Sequence, residues 1–380
     1  MSGTALFLTN AAAAKGSYFF DFASDPREEG WAFQASQNEG GMSYNPAEGY
    51  YLDKGGKLIS PEIQCADDRF QFYRMTFESK ADSESYYAVQ FADSNGDLIV
   101  ADNYASVYPS EDWVGNDVCF RGRERGVSFK VLFQSRGDIS VRNLTIQPVS
   151  NKDVVAWADR LYATLPEHHY HPHADRWKHI PKTMAKLRTG EPLRVVMLGD
   201  SIVNDTFNSL WEAFVKEAYP QARMTVVCSV RGATGAPYYQ RGEHFKVYVE
   251  DLEPDLLIVG GISNGGTTEP LTNLLDLVDR TTGCEVLLMS GPMGPDWRPH
   301  ADGDFTTPLP VLTPPRRKVY REMKLLASQR NIEFLDMYTI WHAYLAQSQK
   351  PWQWFHRDRV HACDRGKQIL GRILKRYFQP

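Results

Sequence analysis

Ser201 has the setting that a nucleophilic serine requires. It follows the apolar run 195–198, which is typical of a strand buried on both faces, and a pattern of helical spacing begins near Asn204. Unpaired backbone N–H groups at a helix start carry partial positive charge, which can stabilise the oxyanion formed when a serine attacks an ester. Because Gly199-Asp200-Ser201 also suits a helix cap, Ser201 needs a partner base to indicate catalysis.

A base and an acid stand together near the C-terminus. Asp358 and His361 are three residues apart and precede a helical pattern. At this spacing the two side chains lie on one side of a helical turn, so the carboxylate can orient the imidazole. The second ring nitrogen is then free to take the proton of Ser201, which predicts a Ser-His-Asp triad.

Two glycine-rich loops follow the next two predicted strands. The first, residues 229–235, contains Gly232 and Gly235, and the second, residues 260–266, contains Asn264. Glycines let backbone N–H groups approach a ligand closely, and the asparagine adds a side-chain donor. Both loops could therefore stabilise negative charge on a substrate.

The order of these pieces resembles the SGNH hydrolases, also called GDSL-type esterases and lipases. The resemblance covers residues 193–380 and implies Ser201 as nucleophile, Asp358 and His361 as its triad partners, and no metal or organic cofactor. It also implies an oxyanion hole made by the Ser201 and Gly235 N–H groups and the Asn264 side chain, with Gly232 as the alternative glycine. The family's usual Gly-x-Asn-Asp is altered, because two residues separate Gly261 from Asn264 and no Asp follows.

A second nucleophile is available inside the same loop. Residues 261–265 match the G-x-S-x-G elbow of α/β-hydrolases, with a strand before it and a helical pattern after it. In this alternative Ser263 attacks, Asp336 is the acid and His361 stays the base. It leaves the Gly-Asp-Ser turn and Asp358 without a role, and few strands precede the elbow, so we prefer Ser201.

Hydrophobic periodicity predicts two domains and a connector. Residues 1–150 alternate at period two with frequent turns, which indicates an all-β sandwich of jelly-roll type that serves as a carbohydrate-binding-like or accessory domain. Residues 151–190 form a packed connector. Residues 191–380 alternate strands with helices, which predicts an α/β/α three-layer domain with a parallel five-stranded sheet. The predicted strands are residues 194–198, 224–228, 256–259, 286–289 and 332–335.

Composition excludes several classes of protein. A formal charge of -5 with interspersed acids and bases gives no reason to expect a nucleic-acid partner, and no apolar run suits membrane insertion. The five cysteines lack the spacing of a metal site or a disulfide framework. The connector is histidine-rich, but its irregular spacing argues against a metal site; its histidines are His168, His169, His171, His173 and His179. The first residues do not decide the location: a secreted or periplasmic one, which we favour, and a cytoplasmic one both stay open.

These features predict a serine esterase that removes short acyl groups, specifically acetyl, from a polysaccharide or oligosaccharide, with no obligate protein partner. The alternatives are a lipid, aryl-ester or thioester hydrolase and a catalytically weak carbohydrate-binding protein, the latter because of the altered asparagine loop. We expect the sandwich to shape the active site, so that deleting residues 1–150 lowers stability and polymer turnover together. The side chains predicted to bind a sugar are Tyr238, Tyr239, Trp297, Arg298, His300, Trp354 and His356.

Overall fold

The fold was analysed in a computed structural model of the 380-residue chain. The residues that the structure describes are 17–35, 41–45, 49–53, 55–66, 71–99, 103–264, 267–292, 314–358 and 360–380. They divide into two compact units. The first lies within Met1–Ile99 and Val107–Ser150, and the second within Val100–Ser106 and Asn151–Pro380.

Antiparallel strands build the first unit. The strands in the chain up to residue 150 are β1 (Tyr18–Phe20), β2 (Ala32–Gln34), β3 (Met42–Asn45), β4 (Gly49–Leu52), β5 (Lys57–Ile59), β6 (Ile63–Gln64), β7 (Phe72–Ala81), β8 (Ser85–Ala92), β9 (Asn103–Val107), β10 (Ser110–Arg121), β11 (Ser128–Gln134) and β12 (Ile139–Val149). One sheet has the order β10-β7-β12-β4-β3, with β1 paired to β12, and the other contains β2-β5-β11-β8, with β6 paired to β11.

Aromatic rings from both sheets meet in the core of this unit. The Phe77 ring on β7 lies 5.1 Å from that of Phe133 on β11, and the Tyr73 ring lies 5.2 Å from that of Phe129. Along β7 buried and half-buried residues alternate, as period-two patterning predicts. Val127 is 44% exposed and lies just before β11, so the buried part of this strand begins at Ser128.

A parallel sheet organises the second unit. Its strands are β13 (Pro192–Gly199), β14 (Arg223–Val230), β15 (Leu256–Val259), β16 (Glu285–Met289) and β17 (Glu333–Leu335), in the order β14-β13-β15-β16-β17. All four pairings are parallel, and the five predicted strands are all present. Residues 195–198 of β13 are almost fully buried, which fits a strand covered on both faces.

Helices connect and flank these strands. They are α1 (Asn151–Tyr162), α2 (Pro181–Thr189), α3 (Ser201–Phe207), α4 (Trp211–Ala218), α5 (Ala236–Tyr239), α6 (His244–Tyr248), α7 (Glu269–Thr281), α8 (Pro314–Arg330), α9 (Met337–Ser348) and α10 (Asp364–Phe378). Short 3-10 helices occupy Pro26–Glu29, Glu250–Leu252 and Trp352–Trp354. No helix among the described residues is long and apolar enough to cross a membrane.

The connector packs into the second unit. Ile180, Met184 and Leu187 join the core around the parallel sheet. Glu333 on the edge strand β17 accepts hydrogen bonds from the backbone N–H groups of Trp177 and His179. In the described part of the chain no three His, Cys, Asp or Glu side chains come together as a metal site. The connector is therefore held by apolar burial and by backbone hydrogen bonds to the sheet.

Candidate active site

Ser201, His361 and Asp358 form a continuous chain of hydrogen bonds. Ser201 is the first residue of α3, with only Asp200 between it and β13, and its Oγ lies 2.8 Å from His361 Nε2. His361 Nδ1 lies 2.8 Å from Asp358 Oδ2 and 3.0 Å from Oδ1. A carboxylate only accepts hydrogen bonds, so Nδ1 carries the proton and Nε2 accepts the bond from the serine hydroxyl.

Backbone N–H groups between Asp358 and His361 hold the Asp358 carboxylate in place beside the imidazole. Asp358 Oδ1 accepts the N–H groups of Val360 and His361, each at 2.8 Å. Partial burial alone raises the pKa of Asp358, but the hydrogen bonds and charge of His361 outweigh it and bring that pKa well below its usual value. Asp358 therefore stays ionised and keeps His361 in the tautomer that can accept a proton.

Asp200 joins the serine turn to the second glycine-rich loop. Its buried carboxylate caps α3 at the Ile202 N–H and also accepts the N–H groups of Ile262 and Ser263, at 2.7 and 2.8 Å. Burial raises the pKa of Asp200, although these hydrogen bonds oppose the rise. Gly261 has a φ of +93°, and a Cβ there would lie 2.5 Å from Asp200 Oδ1. Only glycine fits so close to this carboxylate.

Asn264 bridges the two glycine-rich loops. Its Oδ1 accepts the N–H of Ala236 at 3.0 Å, and its Nδ2 donates to the Gly260 carbonyl at 3.2 Å. An amide nitrogen has two hydrogens, so one remains for a ligand. The shifted register after Gly261 thus still brings the asparagine to the first loop.

The structure distinguishes the two glycines of the first loop. Gly235 packs against the backbone of Ser263 and Asn264, whereas a Cβ added at Gly232 would meet no atom within 4 Å. Within the part of the chain that the structure describes, the N–H groups of Ser201 and Gly235 make no hydrogen bond. Gly235 therefore has the closer relation to Asn264 and an N–H available for substrate.

Two residues predicted to bind substrate are structural instead. Tyr239 is 1% exposed; its hydroxyl donates to the Gly199 carbonyl and accepts the Arg231 N–H at 2.9 Å, which fixes the first loop to the end of β13. His356 is 6% exposed, with its ring 5.3 Å from that of Trp341. Burial leaves neither a face for a sugar, so the prediction that they contact substrate is corrected.

The other predicted substrate residues differ in their surroundings. Tyr238 is half-buried, accepts a hydrogen bond from Arg231 Nη1 at 2.7 Å and stacks on His244 with ring centroids 4.0 Å apart. Trp354 is also half-buried, with the Arg365 guanidinium 4.4 Å from its ring. Trp297, Arg298 and His300 lie outside the described residues. Tyr238 thus contacts Arg231 of the first glycine-rich loop.

The alternative set of Ser263, Asp336 and His361 does not come together. Ser263 directs its side chain to Asp200, and Asp336 caps α9, where it accepts hydrogen bonds from Ser290 Oγ and Thr339. His361 instead bonds to Asp358 and Ser201. The geometry therefore gives Ser263 neither the base nor the acid that the alternative needs.

Sequence patterns missed a buried ion pair beside the triad. Arg357 Nη1 lies 2.9 Å from Asp205 Oδ1, with side chains 8% and 3% exposed. Asp205 follows Ser201 by four residues, and Arg357 directly precedes Asp358. The i, i+4 spacing of Ser201 and Asp205 was the one available signal, and it does not reveal a partner 152 residues away.

No protein-family model matches the chain, and no curated protein sequence matches it. Three similar solved structures illustrate what the fold comparison finds. A two-domain esterase active on acetylated mannans is 16% identical over 53% of each chain, with a TM-score of 0.42. A catalytic mutant of Axe2, an acetylxylan esterase from Geobacillus stearothermophilus, is 15% identical over 49% of this chain and 94% of its own, with a TM-score of 0.39. The CBM22-1 xylan-binding domain of Paenibacillus barcinonensis Xyn10C is 13% identical over 36% of this chain and 99% of its own, with a TM-score of 0.28.

The chain spans about half the length of the two-domain esterase and 19% of the length of another match, the enzymatically active domain of bacteriophage CBA120 tailspike protein 4. All of these likenesses are low. A function for this chain therefore has to rest on its own side-chain geometry.

Proposed function

We propose that the chain is a serine esterase with Ser201 as nucleophile. The observation that carries the proposal is the chain of hydrogen bonds from Asp358 through His361 to Ser201 Oγ. His361 Nε2 takes the hydroxyl proton as Oγ attacks the ester carbonyl, and it then gives that proton to the departing alcohol. Water attacks the acyl-enzyme with the same base, which releases the acid and restores Ser201.

The oxyanion is stabilised by the N–H groups of Ser201 and Gly235 and by Asn264. Two features support this set: both backbone N–H groups lack partners in the described chain, and the Asn264 amide retains one hydrogen. Asp200 supports the arrangement because one carboxylate holds both the turn of Ser201 and the loop of Asn264. Such donors act on the charge that develops in the transition state.

The proposed substrate is a short acyl ester, specifically an acetyl ester, on a polysaccharide or oligosaccharide. The triad is accessible: the His361 side chain is 26% exposed and that of Asp358 is 42% exposed, which favours access by a bulky polymer. Half-buried Tyr238 lies beside the first glycine-rich loop with its ring stacked on His244, and it remains a proposed contact for the sugar. The motif order supports membership of the SGNH hydrolases as part of this proposal.

The test compares two serines in the same site. Ser201→Ala should lower kcat on an aryl acetate by roughly 10⁴- to 10⁶-fold, because no nucleophile remains. Ser263→Ala is the matched control and should keep most activity, since its hydroxyl bonds to Asp200. The opposite pattern would show that Ser263 is the nucleophile. Acetate release from acetylated polysaccharides should exceed turnover of long-chain esters, and a preference for long chains would exclude the carbohydrate substrate.

A further inference from the structure

The Asp205 carboxylate connects the helix of Ser201 to the segment that carries Asp358 and His361. It stands four residues after Ser201 on α3, one helical turn away. Its Oδ2 accepts the N–H of Ala362, the residue after His361, at 2.9 Å, and its Oδ1 accepts Nη1 of Arg357, the residue before Asp358, at 2.9 Å. One carboxylate on the nucleophile helix thus holds both ends of the segment that carries Asp358 and His361.

Arg357 joins the two ends of that segment by hydrogen bonds. Its Nη1 also donates to the Ala362 carbonyl, and its backbone N–H donates to the His361 carbonyl at 3.0 Å. His356 and Ala362 form an antiparallel bridge just outside. Arg357 and Ala362, the two residues of this segment that bond to Asp205, are therefore also bonded to each other.

We propose that Asp205 and Arg357 are positioning residues that set the distance between Ser201 Oγ and His361 Nε2. The inference rests on the proposed function and assigns it two further residues. A buried ion pair is weak evidence for stability, because desolvating two charges cancels much of their attraction. Its position gives it a separate role: it ties α3, which carries the nucleophile, to the segment that carries the base.

Asp205→Asn and Arg357→Met are the main variants. Asparagine cannot accept from both Arg357 and Ala362 as a carboxylate does, and methionine removes the cation. A displacement of about 1 Å at the reacting groups can cost roughly 10²-fold, so kcat on an aryl acetate should fall by about that factor. KM should change less than threefold, since neither residue is proposed to touch substrate. Arg357→Lys, which restores a cation beside Asp205, should recover part of the lost kcat.

Arg372→Met is the matched control. Arg372 is also a buried arginine, 7% exposed, and its Nη2 lies 2.6 Å from Asp159 Oδ1, on helices that carry no triad residue. Its loss should lower the melting temperature while kcat of the folded protein stays near the unsubstituted value. A fall in kcat as large as that of Arg357→Met would overturn the proposal, because it would show a general effect of losing a buried arginine.

A structural measurement separates this inference from the proposed function. Crystal structures should be determined for the unsubstituted protein, Asp205→Asn and Arg357→Met. The distance from Ser201 Oγ to His361 Nε2 should grow beyond hydrogen-bonding range in the two variants. If the unsubstituted protein hydrolyses no ester, the proposed function fails and the distance alone decides the positioning role. An unchanged distance in Asp205→Asn, or in Arg357→Met should the asparagine variant not fold, overturns it.

Discussion

Replacement of Gly235 by alanine tests the oxyanion hole with a single methyl group. Gly235 has φ −151° and ψ −155°, an extended conformation open to any residue, so alanine carries no backbone strain there. The added Cβ would instead lie 2.8 Å from the Asn264 nitrogen and closer still to the Ser263 carbonyl. Both neighbours are backbone atoms, which cannot rotate away, so the two glycine-rich loops must separate.

The size of that separation sets the expected loss. An ordinary Cβ contact is 3.4–4 Å, so the loops must part by about 1 Å. A shift of this size moves the Gly235 N–H and the Asn264 amide away from the oxyanion. Loss of one such donor lowers kcat by roughly 10²- to 10³-fold, or about 3–4 kcal/mol of transition-state stabilisation. Overpacking should also lower the free energy of unfolding by about 1–3 kcal/mol.

Gly232→Ala is the matched control for this substitution. It adds the same methyl group to the same loop, where a Cβ would meet nothing within 4 Å. The assay is kcat on an aryl acetate, measured well below the melting temperature of each variant so that unfolded protein does not contribute. If Gly235→Ala retains full kcat, or if Gly232→Ala loses as much, Gly235 is not the donor and the assignment of the first loop is wrong.

Two further changes test the scaffold of the site and of the second unit. Tyr239→Phe removes the hydroxyl that holds the first loop to Gly199, so kcat should fall by roughly tenfold and the free energy of unfolding by about 1–3 kcal/mol, as enzyme kinetics and urea titration would reveal. Burial lowers the pKa of His168 and His342 to about 4 and that of His356 to about 3, so these histidines stay neutral in the fold while the unfolded chain protonates them near pH 6.5. Their contribution to stability is therefore complete above pH 6.5, and it is lost towards pH 4 at up to about 4 kcal/mol per pH unit. His356→Phe removes one of the three protonation sites, so the slope of the unfolding free energy against pH should fall by the equivalent of about one bound proton. An unchanged slope would contradict the argument.

The sequence predicted the parallel sheet because its strands are continuous apolar runs. Residues 256–259 match β15 without change, and β13 and β14 are each three residues longer than the predicted strands. Ser201 was predictable because it lies where a buried strand leads into a helix. Asp358 and His361 were predictable as a pair because they are only three residues apart in the chain. The jelly-roll topology of the first unit stays a prediction.

The supporting contacts could not be predicted in the same way. In the sequence, Tyr239 is one more aromatic residue beside a loop. Only the structure shows that it is buried and that its hydroxyl bonds to the backbone of Gly199 and Arg231. Asp205 and Arg357 are 152 residues apart, and neither belongs to a motif. Periodicity tells which face of an element is buried, but it does not tell which distant residue lies opposite.

The boundary between the units shows the same limit. Sequence alternation assigns residues 103–106 to the sandwich, yet the structure groups them with the second unit. Lys367, with its side chain 2% exposed, donates from Nζ to the Tyr104 carbonyl at 2.8 Å. Every residue has a backbone carbonyl, so the residue types in the strand could not predict this hydrogen bond. A buried ammonium depends on such acceptors. Deleting residues 1–150 therefore removes a partner of Lys367 from inside the second unit, and a loss of stability in that fragment would follow even if the sandwich contributed nothing to the active site.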